Sequence, residues 1–399
     1  MKKYLSVFLV LIFLAQCIFM GACAKKVAGN ITNDVIIPGV TNNPDFDNTD
    51  TGKAEGLLVY KNNAIPGGIF LYLLSQTKSS YLSSAGGGMT DDASLWSKDA
   101  GNGKTVGQEL FDKTLDSALS ILYYGTVARE QGLSLTQDEI GEITASLDAV
   151  VNSYGSRTAF NNEMMRFGVG YNSLREFYKL EKMAQKGSML VLGKDGIDPI
   201  TDEEELDYYR KNFITLRHLY LNTVQTNSQT GQVQSKEETD AKIKRADTIM
   251  QLIQEGKNTL ADFKDESEDG FLNDSPDGIT IPLGDLLDMY ISMAGKENSV
   301  FYSYYFLFTN IKGFAQAALL TETGTVTRID SEVGIFLVER TPLSSSMFEN
   351  YKDAINQFIL RPLRMGQTVR KLREENAFEI NAEALSTYNI ESTPVQPGI

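Results

Sequence analysis

Residues 200–221 read ITDEEELDYYRKNFITLRHLYL, and the change of character inside this stretch decides how the rest of the chain is divided. Thr201 and Glu204 stand at capping-box spacing. At that spacing the threonine hydroxyl can accept the N–H three residues on, while the glutamate reaches back to the N–H of the cap. The spacing predicts a short helix that ends near Asn212. From Phe213 to Leu221 the chain turns to β-branched and aromatic residues, the composition of a strand. A helix therefore hands over to a strand at Phe213.

Downstream, Ile243, Ala246, Met250 and Ile253 form the apolar face of a helix from about Glu237 to Glu255, closed by Gly256. An acidic loop, a short β run at Ile279–Leu283 and a Tyr/Phe-rich stretch near Tyr302–Phe308 follow. A short helix is expected around Phe314–Leu319, then strands at Thr325–Ile329 and Val333–Arg340 with a turn at Asp330. This order predicts a compact α+β domain over residues 213–342. Beyond it, Ser346 and Glu349 are placed to cap a long helix lined by Tyr351, Ile355 and Phe358, with a kink at Pro362. The end of the chain, from Ser386, reads as loose.

Upstream the pattern is mainly helical. Glu55–Tyr60 reads as a short strand, Lys61–Asn63 as a turn and Ile65–Leu74 as a helix weakened by Gly67 and Gly68. Ser79–Lys104 is polar and Gly-rich, a loop that contains the lone tryptophan, Trp96. Phe111, Leu115, Ala118 and Leu122 share one helix face, and Gly132 ends that helix. Thr136 and Glu139 form a second capping box for a helix through about Val151. Helices follow around Phe160–Phe167 and Ser173–Lys186.

The N-terminus has its own logic. Lys2 and Lys3 precede an apolar run, Tyr4–Met20, broken only by Ser6 and Gln16 and followed by Gly21, Ala22 and Cys23. A charged start, an apolar centre and small residues describe a signal peptide over residues 1–22. The apolar part is at the short end for crossing a hydrocarbon core of about 30 Å. Residues 23–54, rich in Asn, Asp, Thr, Gly and Pro, read as a flexible tether. Met20-Gly21-Ala22-Cys23 resembles the lipobox of bacterial lipoproteins, which implies a lipid on Cys23. Cys17 is the only other cysteine, so the folded part holds no disulfide. The net charge of −15 argues against nucleic acid, whose phosphates require clustered Lys and Arg.

Several segments resemble PrsA-like foldase lipoproteins and the periplasmic chaperone SurA. They are Gln108–Ile140 with its Thr136-x-Asp138-Glu139-Ile140, and Ile200–Glu204 leading through Tyr208-Tyr209 into Leu216-Arg217-His218-Leu219. Ser267-Glu268-Asp269, Phe314–Leu319, Gly324-Thr325-Val326, Gly334–Val338 and Phe378–Asn381 continue the likeness in the same order. The resemblance implies a helical chaperone domain built from residues 55–212 and 343–399, with a parvulin-type prolyl isomerase domain inserted between them. It implies His218, Asp269 and Phe314 as the catalytic set of an active enzyme, and Phe336, Leu216 and Tyr220 around the proline pocket.

The chain departs from that family where the chemistry sits. Parvulins place two histidines on adjacent strands, and here the second position holds Phe336 while His218 is the only histidine. Asn310 stands in place of a methionine and Gly270 in place of a proline. The glycine turn is reduced to Asp277-Gly278 and Leu283-Gly284, and an insertion that includes Tyr290–Phe308 adds aromatic residues beside the pocket. Isomerisation must lower a barrier of about 18–20 kcal/mol by stabilising a twisted imide, with no cofactor or metal. Losing one histidine removes part of the orienting network, so weak or absent activity is expected.

The expected function is a lipid-anchored extracytoplasmic chaperone for unfolded or partly folded exported proteins, with a homodimer left open. An active prolyl isomerase is the second reading. A solute-binding lipoprotein is the third, disfavoured because repeated βαβ units are missing. Met164, Met165, Met183 and Met189 read either as core residues or as an adaptable client surface. The acidic Asp262–Asp277 stretch lacks the spacing of a calcium loop and reads as solvated.

Overall fold

The computed structural model describes residues 56–84, 91–101, 103–224, 234–283 and 299–396. The expected signal peptide and tether, with Cys23, Gly284 and the first part of the Tyr290–Phe308 stretch, lie outside the described residues. The chain is α+β, with helices around two antiparallel sheets, and it divides into two compact units. One comprises the chain up to Thr201 and again from Asn356; the other is Asp202–Ile355.

The first unit begins with a hairpin of β1 (Leu58–Tyr60) and β2 (Asn63–Ile65). Its turn is Lys61-Asn62, so Asn63 is not a turn residue: its buried amide donates to Thr126 Oγ1 at 2.7 Å. Helix α1 (Gly67–Ser84) runs well past the expected Leu74. Gly68 shows why glycine opens it, since a Cβ there would lie 2.6 Å from the carbonyl oxygen of Gly168. The expected open loop around Trp96 is also corrected: Ala93–Trp96 is a helical turn capped by Asp92, and the indole is buried.

Helices α2 (Val106–Glu130), α3 (Gln137–Ser153), α4 (Arg157–Met164) and α5 (Tyr171–Leu192) complete this part of the unit. The Thr136–Glu139 capping box forms as expected, and Thr105 with Gln108 makes another at the start of α2. Leu115, Ala118 and Leu122 are buried in the core, whereas Phe111 packs at its margin.

In the second unit α6 (Asp202–Asn212) runs directly into β3 (Phe213–Leu221), the handover expected at Phe213. Then come α7 (Lys236–Gln254), β4 (Ile279–Pro282), α8 (Ser299–Asn310), α9 (Phe314–Leu320), β5 (Val326–Ser331), β6 (Gly334–Thr341) and α10 (Ser345–Ile355). The sheet order is β4-β3-β6-β5, antiparallel throughout. The β5–β6 turn falls at Glu332-Val333 rather than at Asp330, which pairs with Ile335 inside the ladder. Ser331 holds that turn by accepting from the N–H of Val333 and donating to the carbonyl of Gly334. Ser346 lies within α10 and does not cap it.

Strand side chains alternate between faces, which gives this sheet two cores. Leu219, Leu221, Ile335 and Leu337 pack with Ala246 and Ile249 of α7. Ile214, Leu216, Phe336 and Val338 pack on the other face with Tyr304, Leu307, Phe314 and Ala318. Helices α6 and α10 belong to this unit and not to the helical one. Tyr209 meets the rings of Phe213 and Phe348, and Tyr351 donates its hydroxyl to the carbonyl of Thr280 at 2.8 Å. The unit thus extends beyond the expected 213–342 at both ends.

The chain then returns to the first unit through a π-helical stretch, Asn356–Leu360, and α11 (Arg361–Glu374). Pro362 lies in the first turn of α11, so the irregularity precedes it. Proline offers no N–H and its ring crowds the carbonyl four residues back, and the wider π turn accommodates that. Asp116 on α2 accepts from Arg370 and Arg373 of α11 at 3.2 and 3.1 Å. Burial raises the pKa of this carboxyl even with two guanidiniums beside it. Strand β7 (Glu379–Ile380) pairs with β1, closing a sheet of order β2-β1-β7. The tail is not loose, because Ile390 and Thr393 are buried against this unit.

Candidate functional site

The period of a strand puts Leu216, His218 and Tyr220 of β3 on one sheet face. On β6, Phe336 stands opposite Tyr220 and Val338 opposite His218. The segment after α7 supplies the next group. Ser267 accepts from the N–H of Tyr220 at 3.0 Å, and the N–H of Glu268 donates to the carbonyl of Tyr220 at 2.9 Å. These two bonds hold the loop along β3 and bring Asp269 to His218, with Nε2 2.7 Å from the carboxylate. A carboxylate only accepts, so Nε2 carries a hydrogen.

The other ring nitrogen faces a residue that sequence reasoning did not single out. Tyr304 of α8 is fully buried, its hydroxyl 3.3 Å from Nδ1 of His218 and donating to the carbonyl of Leu216 at 3.0 Å. Phe271 stacks on the imidazole at 4.5 Å between centroids, and Phe336 meets it edge-on at 5.7 Å. Phe314 in turn packs edge-on against Phe336 at 5.4 Å. All six residues implied by the resemblance are therefore gathered on one face. His218 is only 1% exposed, and Leu216, Phe314 and Phe336 are buried with it.

The electrostatics follow from this packing. Burial alone would raise the pKa of Asp269, but hydrogen bonds from His218, Ser267 and the N–H of Phe271 outweigh it and hold the carboxyl below its usual value. Burial pushes the phenol of Tyr304 well above its usual range, with the charge of Asp269 adding to it, so the hydroxyl stays protonated and can donate. A depressed carboxyl stabilises the fold fully above the unfolded-state value of about 3.9, and that contribution is lost as pH falls through the folded value. The urea midpoint should therefore drop between pH 5 and pH 2.5 more steeply in the parent chain than in Asp269→Asn. Equal slopes would mean the carboxylate contributes nothing.

The acidic stretch is engaged rather than freely solvated. Glu266 pairs with Arg245, Glu268 with Lys242, and Asp262 accepts from the N–H of Thr259. Among the described residues no group of three metal-ligating side chains forms, and no helix is long and apolar enough to cross a membrane. Of the four methionines, Met164 and Met183 are core residues, Met165 is half-buried and Met189 is exposed. Aromatic density had marked Tyr302–Phe308, but which ring turns inward depends on the phase of α8 against the sheet. Phe271 carried no signal, since an aromatic in an acidic loop without a regular period marks no face.

No protein-family model matches the chain, and no curated protein matches it. Among solved structures the chain is similar to the foldase protein PrsA from Streptococcus pneumoniae str. Canada MDR_19A. The identity is 16% over 71% of this chain and 94% of that one, with a TM-score of 0.22. It is also similar to PrsA from Bacillus subtilis, at 19% identity over 75% and 92%, with a TM-score of 0.19. At TM-scores this low the superpositions carry no weight, and the functional reading rests on the chain's own residues.

Proposed function

We propose that the chain is a chaperone for exported proteins, held at the outer face of a bacterial membrane by a lipid on Cys23, whose parvulin-like unit is catalytically silent. The observation that carries this reading is the state of His218. Both ring nitrogens are engaged, by Asp269 at 2.7 Å and Tyr304 at 3.3 Å, and the imidazole lies under Phe271 in a closed apolar layer. A proline imide needs an open apolar pocket and oriented donors, and here the imidazole is buried against Tyr304 and Phe271. What is left open is apolar surface of the kind that holds unfolded chains. Met189, Ile197 and Leu363 are exposed on the helical unit, and the Arg364–Asp198 ion pair at 3.2 Å brings the segments of the last two together.

The test is the cis–trans rate of a short Xaa-Pro peptide together with suppression of aggregation of an unfolded client. A background rate, unchanged by His218→Ala, with aggregation suppressed, is the expected result. A rate well above background that falls with His218→Ala would replace this reading with an active isomerase.

A further inference from the structure

Lys78 sits in the middle of α1 and is 1% exposed, a position where an ammonium is costly unless every hydrogen finds an acceptor. It donates to the carbonyl oxygens of Glu391 and Thr393 at 3.0 and 2.8 Å and pairs with Asp91 at 2.9 Å. Asp91 also accepts from the indole N–H of Trp96, whose ring lies 5.3 Å from the ammonium. The same segment is gripped along its length. Ser75 donates to the carbonyl of Pro394 at 2.7 Å, Arg166 to that of Val395 at 2.6 Å, and Gln396 donates its N–H to Ser79 at 2.9 Å.

Four carbonyl contacts, to Glu391, Thr393, Pro394 and Val395, and one N–H contact, all made by side chains of the helical unit, are to the backbone of the segment. Of the bound segment, only Ile390 and Thr393 are buried. The tail is neither helix nor strand here: a turn through Asn389–Thr393 leads into irregular Pro394–Gln396. We infer that this face of α1 is a peptide-binding site that holds unfolded segments by their backbone carbonyls and takes a small side chain at the buried position of Thr393, and that the chain's own Thr393-Pro394 occupies it until a client displaces it. An ammonium stripped of two carbonyls calls for two more, and any unfolded chain offers them. The inference deepens the chaperone reading and rests on it.

Intact chain is compared with and without an unfolded client by hydrogen exchange and by the fluorescence of Trp96, the only tryptophan. Client should speed exchange at residues 389–396 and shift the Trp96 emission. Thr393→Arg, too large for its buried site and repelled by Lys78, should unseat the tail. Client should then bind tighter by about tenfold or more, the factor by which a site free less than a tenth of the time hides itself. Thr387→Arg, on exposed surface, controls for the added charge. Thr393→Arg with faster tail exchange and no gain in client affinity would overturn the inference, as would a tail whose exchange ignores a client that the intact chain demonstrably holds. Failure of the intact chain to suppress client aggregation at all counts against the chaperone reading instead.

Discussion

Tyr304→Ala should destabilise the sheet-bearing unit by about 3–5 kcal/mol, the range for deleting a buried aromatic side chain. The ring is wholly buried and touches both His218 and Phe271, with centroids 5.6 and 5.0 Å away. Little nearby can collapse into the space, because Leu216, Phe314 and Phe336 already pack against the sheet. Tyr304→Phe separates the ring from its hydroxyl. It keeps the volume but leaves the Leu216 carbonyl and Nδ1 of His218 without their partner, at a cost of about 1–3 kcal/mol. Urea denaturation ranks the three chains. Chemical modification of imidazole gives a second readout, unambiguous because the chain has a single histidine. His218 should resist modification in the parent chain and react readily in Tyr304→Ala. Fast modification of the parent would refute the closed site, and with it the proposal that the unit is catalytically silent.

Gly187→Ala should be nearly as damaging to the helical unit, although it adds one carbon. A Cβ at Gly187 would lie 2.0 Å from the carbonyl oxygen of Tyr124, backbone that cannot swing aside as a side chain can. Helices α2 and α5 would have to separate along the line where Gly125 also meets Leu180. The expected cost is about 3 kcal/mol or more, at the upper end for overpacking. Gly141→Ala supplies the control, since nothing lies within 4 Å of a Cβ there and the site is exposed on α3. That change should stabilise by about 0.5–1 kcal/mol, the helix-propensity difference alone. Equal melting temperatures for the two variants would show that the helices can separate at no cost.

What the sequence determined by itself was local. The Thr136–Glu139 capping box, the handover at Phe213 and the apolar face of α7 could be read directly, because each depends on groups a few residues apart. The pairing of His218 with Asp269 was also foreseeable, but only through family resemblance, not through spacing, since the two are brought together by a loop bonded along β3. The length of α1 and the helical turn at Trp96 escaped notice because polar residues such as Lys78 and Thr77 are buried there by partners distant in sequence. The tail read as loose for the same reason: its carbonyls are satisfied by α1, more than three hundred residues earlier.

Only the tertiary structure decided what the site can do. Residues 302–308 are aromatic nearly throughout, so composition could not say which ring would face the sheet. That choice follows from where α8 lies on the face of β3, and it puts the hydroxyl of Tyr304 against His218. A helix start or an amphipathic face is specified by nearest neighbours along the chain. Whether a histidine is open to a substrate or sealed beneath a tyrosine depends on packing between segments some ninety residues apart, which no local pattern encodes.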